Sequence, residues 1–382
     1  MTASKRSRRG ASTWASRTFR LATVSDQSTT TELVDIVETR EEAERLPVPP
    51  LLIRENLGEV LPGSGEVEVE RVRAGHSNLT FFITRGADQW VLRRPPRPPF
   101  PPKAHDVLRE HRLISALHAT GVPVPKAIMA CADESVIGAP FYVMERLDGV
   151  VVRNELPPEM DTPEQGRAAA EALIDALVSL HGVEVESGPL AELGRPDGYL
   201  KRQVDLWARQ WEHNKTREIP AIVEVGVKLA GTIPQSGRPA IVHGDYKLDN
   251  VIFDPGPPAD LAGILDWEMA TLGDPLSDVG YLAAMWLGHD GPSSLLLGLS
   301  LATGSRNFPP IEELLERYSE RSGRSLEHLA WYRCLAIWKL AILLEGSRKR
   351  HLAGTTDDPF FASLDEGIPQ LAEYASKLAS RI

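Results

Sequence analysis

The sequence predicts an α+β fold in which a small antiparallel β-rich lobe precedes a larger, mainly helical lobe. Five candidate strands and one longer helix are expected before about residue 148, beginning with the alternating stretch 66–73, and helical patterns dominate after residue 166. A polar cluster, HGDYKLDN at 243–250, directly follows the apolar run 240–242. Such a cluster at the end of a buried strand is typical of a catalytic loop and also of a solvated turn.

The composition is that of a soluble globular protein and excludes several function classes. The 382 residues are 42% hydrophobic and 25% charged, with a formal net charge of −11. An acidic chain does not favour nucleic acid as a partner, because phosphate binding needs a basic face. Two cysteines, Cys131 and Cys334, make neither a disulfide framework nor a zinc site, and no stretch is typical of a membrane span. We therefore expect a cytoplasmic protein without a nucleic-acid or membrane partner.

The first lobe is predicted to span residues 31–147, after a basic tail at 1–30 that is expected to be disordered. A short helix is expected at 31–45, and the proline-rich stretch 94–102 is expected to be a loop. Five strands are predicted, at 66–73, 79–84, 89–93, 126–131 and 140–145. Helical periodicity predicts one helix, at 104–120.

The second lobe is predicted to span residues 148–382 and to consist mainly of amphipathic helices. These helices are expected at 167–181, 198–214, 220–229, 277–286, 295–301, 311–322, 326–347 and 361–380. A strand, a turn and a second strand are expected directly after the polar cluster, at 251–253 and 261–267.

This predicted hairpin brings two oxygen-bearing side chains together. If the turn is centred on Pro258, Asn250 lies opposite Asp266, with Cα atoms roughly 4.5–5.5 Å apart. A register shifted by one residue would still leave the two residues close. Amide and carboxylate oxygens suit Mg²⁺ that is held partly through substrate phosphates. With Asp245 in the same loop, the set fits phosphoryl transfer, which depends mainly on positioning and charge neutralisation.

The motifs His243-Gly244-Asp245 with Asn250, and Asp266-Trp267-Glu268, resemble the aminoglycoside phosphotransferase and choline kinase family, over roughly residues 60–350. The resemblance implies a bilobal protein-kinase-like fold and an ATP- and Mg²⁺-dependent small-molecule kinase. In it Asp245 would accept or orient the proton of the substrate hydroxyl, and Asn250 and Asp266 would bind Mg²⁺. His243 would support the loop rather than react, and Lys247 would either touch the γ-phosphate or face solvent.

The resemblance also implies a nucleotide site in the first lobe. Val91 and Arg93 share one face of the third strand, where Val91 would cover the adenine and Arg93 would reach the phosphates in place of the usual lysine. Glu110 would pair with Arg93, or else lie on the surface of its helix. The turn around Gly75 would place Ser77 near the phosphates.

The hinge between the lobes is expected at 144–147. Met144 would line the adenine pocket, and the backbone of Glu145 and Leu147 would bond the adenine, although a plain linker would read the same way in sequence. After the metal-binding aspartate, Asp274 and Asp278 are expected to be structural.

The acceptor is less clearly marked in the sequence. The stretches 241–253 and 264–282 are similar in wording to kinase-like domains associated with acyl-CoA dehydrogenases, which implies a hydroxy acid or acyl thioester as acceptor. An aminoglycoside is disfavoured, because Glu373 is the only acid among the last ten residues. Trp207, Trp211 and Arg202 either line the acceptor site or, in the case of the tryptophans, belong to the core.

Two other functions remain open from the sequence. Arg93 in place of lysine favours a catalytically weak nucleotide-binding module. A protein kinase is disfavoured, because Asp266-Trp267-Glu268 runs to Gly273-Asp274-Pro275 without room for an activation loop that docks a peptide.

Overall fold

The structure is a computed structural model, and it describes residues 53, 57–58, 61–72, 78–96, 105–286, 301–353 and 363–382. Several predicted features lie outside these residues: the tail at 1–30, the helix at 31–45, Ser77, most of the proline-rich stretch and all but the last residue of the helix at 295–301.

The first five strands form one sheet in the order β1-β2-β3-β5-β4. The strands β1 to β3 form an antiparallel meander in which Val69 lies opposite Ile83 and Phe82 opposite Val91. Alternation along β2 buries Phe81 and Ile83, as the sequence pattern predicts. The predicted strands are confirmed, with bounds β1 Glu68–Val72, β2 Leu79–Arg85, β3 Asp88–Arg94, β4 Ala127–Cys131 and β5 Phe141–Glu145.

Eight helices are described, and each matches a predicted helix to within a few residues. Their starts carry recognisable signals: Asp106 accepts the N–H of Arg109 at the first helix, and Thr162 caps the second, which begins with Pro163. The bounds are α1 Val107–His118, α2 Pro163–Gly182, α3 Tyr199–Asn214, α4 Pro220–Gly231, α5 Leu276–Met285, α6 Ile311–Ser322, α7 Leu329–Leu352 and α8 Leu364–Ala379.

Contacts between Cα atoms divide the chain into two compact units. One contains Met1–His105 and Ala130–Tyr142, and the other contains Asp106–Met129 and Val143–Ile382. The predicted lobe boundary at residue 147 stays a prediction. No helix within the described residues has the length and apolar character that a bilayer crossing requires.

The second unit has a core built from α3, α4, α7 and α8. The helix α7 is buried on nearly every side, with Trp331 and Trp338 among its largest buried side chains. Gly280 in α5 lies so close to Tyr332 of α7 that a Cβ atom there would collide with the Tyr332 side chain. These two helices therefore approach each other closely.

Two small antiparallel strand pairs hold the polar cluster. The strand β6 (Ala240–Val242) pairs with β9 (Thr271–Gly273), and β7 (Val251–Asp254) pairs with β8 (Asp260–Ile264). The hairpin β7-β8 was predicted, whereas β9 was not, because three residues carry too little periodicity to be recognised.

Candidate active site

One buried carboxylate, that of Asp278, holds the backbone at the start of the loop 243–250. Asp278, in the first turn of α5, accepts the N–H of His243 at 2.6 Å and the N–H of Gly244 at 2.8 Å. A third donor reaches the same carboxylate, Nε2 of His181 at 3.3 Å. Asp278 is fully buried, so these three bonds replace the water that its charge has lost. The expectation that Asp278 is structural fits this arrangement.

The support continues through His181 to a tyrosine. The Tyr318 hydroxyl lies 2.8 Å from Nδ1 of His181. Burial lowers the pKa of His181, so the ring is neutral, donates from Nε2 to Asp278 and accepts from Tyr318 at Nδ1. Asp274 starts the same helix, because its carboxylate accepts the N–H of Leu276 at 3.0 Å and the Tyr332 hydroxyl at 2.8 Å. Asp274 thus ties the loop to α7, as expected.

His243 supports the loop with both ring nitrogens. Nε2 donates to the carbonyl oxygen of Leu265 at 2.8 Å, and Nδ1 accepts the N–H of Asp245 at 3.3 Å. The ring is fully buried beside Trp267, with ring centroids 4.7 Å apart. Since both nitrogens bond the backbone, the ring fixes the loop and is not placed to react.

Gly244 occupies a position that a side chain would strain. Its φ is +88°, and a Cβ atom would lie 3.0 Å from both the Cβ and the carbonyl oxygen of Met269. A non-glycine residue is disfavoured at this φ by contact with its own backbone. The loop can therefore approach the 267–269 turn only because residue 244 is glycine.

We expect Gly244→Ala to destabilise the protein by about 1–3 kcal/mol and to lower its catalytic activity, because the loop must move away from Met269. Denaturant unfolding gives the first quantity. Gly237→Ala is the matched control, since Gly237 has no atom within 4 Å of its would-be Cβ. Equal stability of the two variants would contradict the prediction.

Asp245 and Asn250 are directly bonded across the loop. The side-chain nitrogen of Asn250 donates to the Asp245 carboxylate at 2.7 Å and to the Asp245 carbonyl oxygen at 2.8 Å. Two consequences follow. Asp245 keeps one orientation without substrate, and the oxygen of the Asn250 amide is left for another ligand.

The hairpin register differs from the prediction by one residue. Val251 pairs with Ile264, and the Leu265 N–H donates to the carbonyl oxygen of Asn250 at 2.8 Å. Asn250 therefore lies opposite Leu265, and the predicted opposition to Asp266 is wrong. A bulge between Ile252 and Phe253 shifts the pairing nearer the turn. Asp266 follows at once in a left-handed conformation with φ of 60°, so strand alternation ends there.

The oxygen donors at the end of this hairpin suit a magnesium ion. Asn250 offers an amide oxygen. Leu265 donates its N–H to the backbone carbonyl oxygen of Asn250, and Asp266, the next residue, carries the carboxylate. In the described residues, no group of three or more His, Cys, Asp or Glu could hold a metal ion. One carboxylate and one amide fit an ion that keeps waters and substrate phosphates as its other ligands. A resident structural metal, which needs a full protein shell, is not what this donor set favours.

Lys247 lies inside the loop rather than pointing away from it. Its Nζ is 3.9 Å from Oδ1 of Asp245 and 3.8 Å from Oδ2 of Asp249. Its side chain is 24% exposed. Of the two interpretations of this lysine, the structure favours the one that keeps it near the reacting groups. Burial raises the pKa of Asp249, against the opposing charges of Lys247 and Arg153.

Two residues near Asp245 were not recognised in the sequence. Tyr281, one turn into α5, interacts with Asp245: burial first, then the Asp245 charge and a hydrogen bond to it, raise the pKa of this phenol well above its usual value. Lys339, in α7, lies over the ring of Trp207 with Nζ 5.3 Å from the ring centroid. The signal available in the sequence was a lysine within an otherwise apolar run, 334–344.

The predicted nucleotide residues fall in both units. In the first unit, Val91 and Arg93 are both buried on β3, each 8% exposed. In the second unit, Glu110 is 2% exposed, so the surface interpretation of this residue is wrong. Its pairing with Arg93 stays a prediction.

The predicted hinge residues lie at and after the end of β5. Met144 is buried, and the Glu145 N–H donates to the carbonyl oxygen of Lys126 at 2.9 Å. A bond from Glu145 to adenine would therefore have to use its carbonyl oxygen. The side chain of Leu147 packs on Gly263 of β8, where a Cβ atom would collide with it.

The three predicted acceptor residues have different surroundings. Trp211 is 2% exposed and belongs to the helical core. Arg202 is exposed, and its guanidinium donates to the carbonyl oxygens of Arg195 and Asp197, so it holds the preceding loop. Trp207 belongs to the same helical core, as the core interpretation of the tryptophans predicts, and Nζ of Lys339 lies 5.3 Å from its ring centroid.

The chain is similar to known proteins over most of its length. The family described as "Phosphotransferase enzyme family" matches residues 68–314. The chain is 34% identical over 334 residues to acyl-CoA dehydrogenase family member 11 of Gallus gallus, which covers 84% of this chain and 42% of that protein. The chain thus spans less than half the length of such relatives.

Solved structures show the same relationship. A candidate aminoglycoside phosphotransferase from Ralstonia eutropha has a TM-score of 0.73 and 30% identity, covering 87% of this chain and 98% of that one. A thermostable aminoglycoside phosphotransferase mutant in ternary complex with AMP-PNP and hygromycin B has a TM-score of 0.54 at 16% identity, covering 86% of this chain and 96% of that one. The second likeness concerns the fold alone.

Proposed function

The chain belongs to the phosphotransferase enzyme family, and we propose that it transfers the γ-phosphoryl group of ATP to a hydroxyl of a small molecule, with Mg²⁺. Its fold is the protein-kinase-like fold, with a small antiparallel β-rich lobe and a larger, mainly helical lobe. The predicted fold class and the predicted family resemblance are both confirmed.

The observation that carries the proposal is the preorganised carboxylate of Asp245. The Asn250 amide holds it at 2.7 Å, and the loop backbone beneath it is anchored on Asp278 at 2.6 and 2.8 Å. A carboxylate fixed in this way, and 27% exposed, can accept a hydrogen bond from a substrate hydroxyl and orient its oxygen for attack. In phosphoryl transfer this positioning supplies much of the rate enhancement.

The metal ligands are Asn250 and Asp266 in this proposal. Mg²⁺ bound there would neutralise charge on the phosphates during transfer. The chain's own contribution is to hold the Asn250 amide with its nitrogen on Asp245 and its oxygen outward. Lys247, held between two carboxylates of the loop, is proposed to contact the γ-phosphate.

ATP is proposed as the donor because the family and the loop chemistry fit a nucleoside triphosphate. The adenine and phosphate contacts are assigned by position within the motifs of this family. The residues are Ser77, Val91, Arg93, Glu110, Met144, Glu145 and Leu147.

The acceptor is proposed to be a small hydroxylated molecule, such as a hydroxy acid or an acyl thioester. Support comes from the relatives, which are named as acyl-CoA dehydrogenase family members and of which this chain matches one part. An aminoglycoside is the less favoured acceptor in this proposal.

We expect the full chain to consume ATP with at least one member of a panel of amino alcohols, aminoglycosides, sugars, hydroxy acids and hydroxyacyl thioesters. Asp245→Asn should lower this rate by about 100-fold or more, because it removes the group that orients the hydroxyl. Coupled ATP turnover, with mass spectrometry of the product, measures both. Equal background rates in the two proteins would contradict the proposal.

One observation favours a second candidate, a catalytically weak nucleotide-binding module. Arg93 stands where kinases carry a lysine, and its forked guanidinium binds phosphates with a different geometry. This candidate predicts nucleotide binding by calorimetry together with equal turnover in the chain and in Asp245→Asn. Phosphorylation of proteins with no small acceptor would instead indicate a protein kinase.

A further inference from the structure

Lys339 brings a positive charge into α7, a helix whose middle is largely buried. It lies in the middle of α7, where its neighbours Trp338 and Leu340 are buried. Within the described part of the chain, Lys339 has no hydrogen bond and no carboxylate within 4.0 Å, and its ammonium instead lies 5.3 Å from the Trp207 ring centroid. Lys339 as a whole residue is partly exposed, unlike the buried residues on either side of it.

This placement is unfavourable for the fold alone. An ammonium loses hydration on burial, and stacking on an aromatic face offsets only part of that loss. Burial lowers the pKa of Lys339 to about 8, against the opposing effect of the Asp278 and Asp245 charges. The ammonium is therefore still the main form at neutral pH. A methionine of similar length would fill the same space without a desolvated charge.

The packing of α5 against α7 brings α7 close to the helix that carries Asp278 and Tyr281. The two helices meet at Gly280 and Tyr332. Lys339 follows Tyr332 by two helical turns and so lies on the same side of α7. Tyr281, next to Gly280, interacts with Asp245, and the charge of Asp245 in turn acts on Lys339. The Lys339 ammonium and the Asp245 carboxylate, which is proposed to orient the hydroxyl, therefore interact electrostatically.

We propose that Lys339, stacked on Trp207, is the anion-binding residue of the acceptor subsite, and that the acceptor carries a carboxylate in addition to its hydroxyl. The inference rests on the proposed function, because it takes Asp245 as the group that receives the hydroxyl. It adds a specificity-determining residue and narrows the acceptor to hydroxycarboxylates.

Lys339 and Trp207 together would attract an anionic acceptor and exclude a polycationic one. An incoming carboxylate gives the Lys339 ammonium the ion partner that the described chain does not supply, and the Trp207 ring offers an apolar wall for the carbon chain that joins carboxylate and hydroxyl. A polycationic acceptor would meet a positive charge at the same place, so selectivity also comes from repulsion.

The test compares acids with their neutral counterparts. Hydroxybutyrates with the hydroxyl on carbon 2, 3 or 4 are each paired with the corresponding primary amide, and both binding and phosphorylation are measured on the full chain. We expect the wild type to prefer at least one acid over its amide by about tenfold or more, as one charge-assisted hydrogen bond predicts. Lys339→Met should reduce this ratio to near one, and Lys339→Arg should restore part of it.

Two further measurements separate binding from folding. Lys228→Met makes the same chemical change at an exposed position of α4, and it should leave the ratio unchanged. The melting temperature of Lys339→Met should be unchanged or higher than that of the wild type, since the variant loses a desolvated charge. A wild-type acid-to-amide ratio that persists in Lys339→Met overturns the proposal, and so does a wild type that binds none of the acids.

The outcomes also distinguish this proposal from the proposed function. Calorimetric binding of a hydroxybutyrate that is lost in Lys339→Met, without ATP consumption, supports the subsite and rejects the kinase. ATP consumption with neutral acceptors, insensitive to Lys339→Met, supports the kinase and rejects the subsite.

Discussion

Replacing Asp278 with alanine is expected to lower the free energy of unfolding by about 3–5 kcal/mol and to abolish activity. The carboxylate accepts from the backbone of His243 and Gly244 and from Nε2 of His181, and all three donors are left unsatisfied in a buried site. The loop that carries Asp245 would lose the group that holds its backbone. Denaturant unfolding and ATP turnover measure the two effects.

Two companion variants keep this expectation falsifiable if the alanine protein does not fold. Asp278→Asn keeps the volume but turns one acceptor into a donor, so it should fold with reduced stability and lose most activity. Tyr318→Phe removes only the outermost bond of the network and should cost about 1 kcal/mol. An Asp278→Asn protein with wild-type turnover would show that the loop does not depend on this carboxylate.

Replacing Asp266 with alanine is expected to abolish magnesium-dependent turnover, with a loss of at least about 1,000-fold. Asp266 is the only carboxylate in the proposed metal-ligand set, and the Asn250 amide alone is a weak ligand for a hard divalent cation. The measurement is ATP turnover as a function of Mg²⁺ concentration. A matched loss of Mg²⁺-dependent ATP binding should be seen by calorimetry.

The control for this variant comes from the other end of the same hairpin. Asp260 is exposed on β8 and pairs with Asp254 near the turn. Asp260→Ala should therefore leave turnover and its dependence on Mg²⁺ unchanged. If Asp266→Ala shows the same Mg²⁺ dependence as the wild type, Asp266 does not bind the metal, and the proposed ligand set is wrong.

The elements and the loop were predictable because their signals are local. The alternation of buried residues in β2 and the helical periodicity of α2 each involve residues a few positions apart, although the start of α2 at Pro163, capped by Thr162, was not predicted. The spacing from Asp245 to Asn250 lies within one loop, where the short chain forces the two side chains together. The family resemblance rests on the same short motifs.

The register of the β7-β8 hairpin is a feature that local sequence patterns predicted incorrectly. The predicted opposition of Asn250 to Asp266 assumed regular pairing around Pro258, but Asp254 pairs with Asp260, so the turn is centred one residue earlier, and a bulge between Ile252 and Phe253 then changes the register again. A bulge is not visible in the alternation of a four-residue strand. The left-handed conformation of Asp266 was equally invisible, because it follows from the packed turn at 267–269 and not from the residue type.

The sequence by itself determined the α+β class, the order of the helices and of the strands other than β9, and the residues of the proposed catalytic loop, because neighbouring residues alone decide those features. Only the tertiary structure decided that Asp278 anchors the loop, that His243 serves it with both nitrogens, and that Lys339 lies over Trp207. Apart from the bond between His243 and Asp245, these contacts join positions far apart in the chain. They depend on how loops and helices pack against one another, which is set jointly by the shapes of many buried side chains.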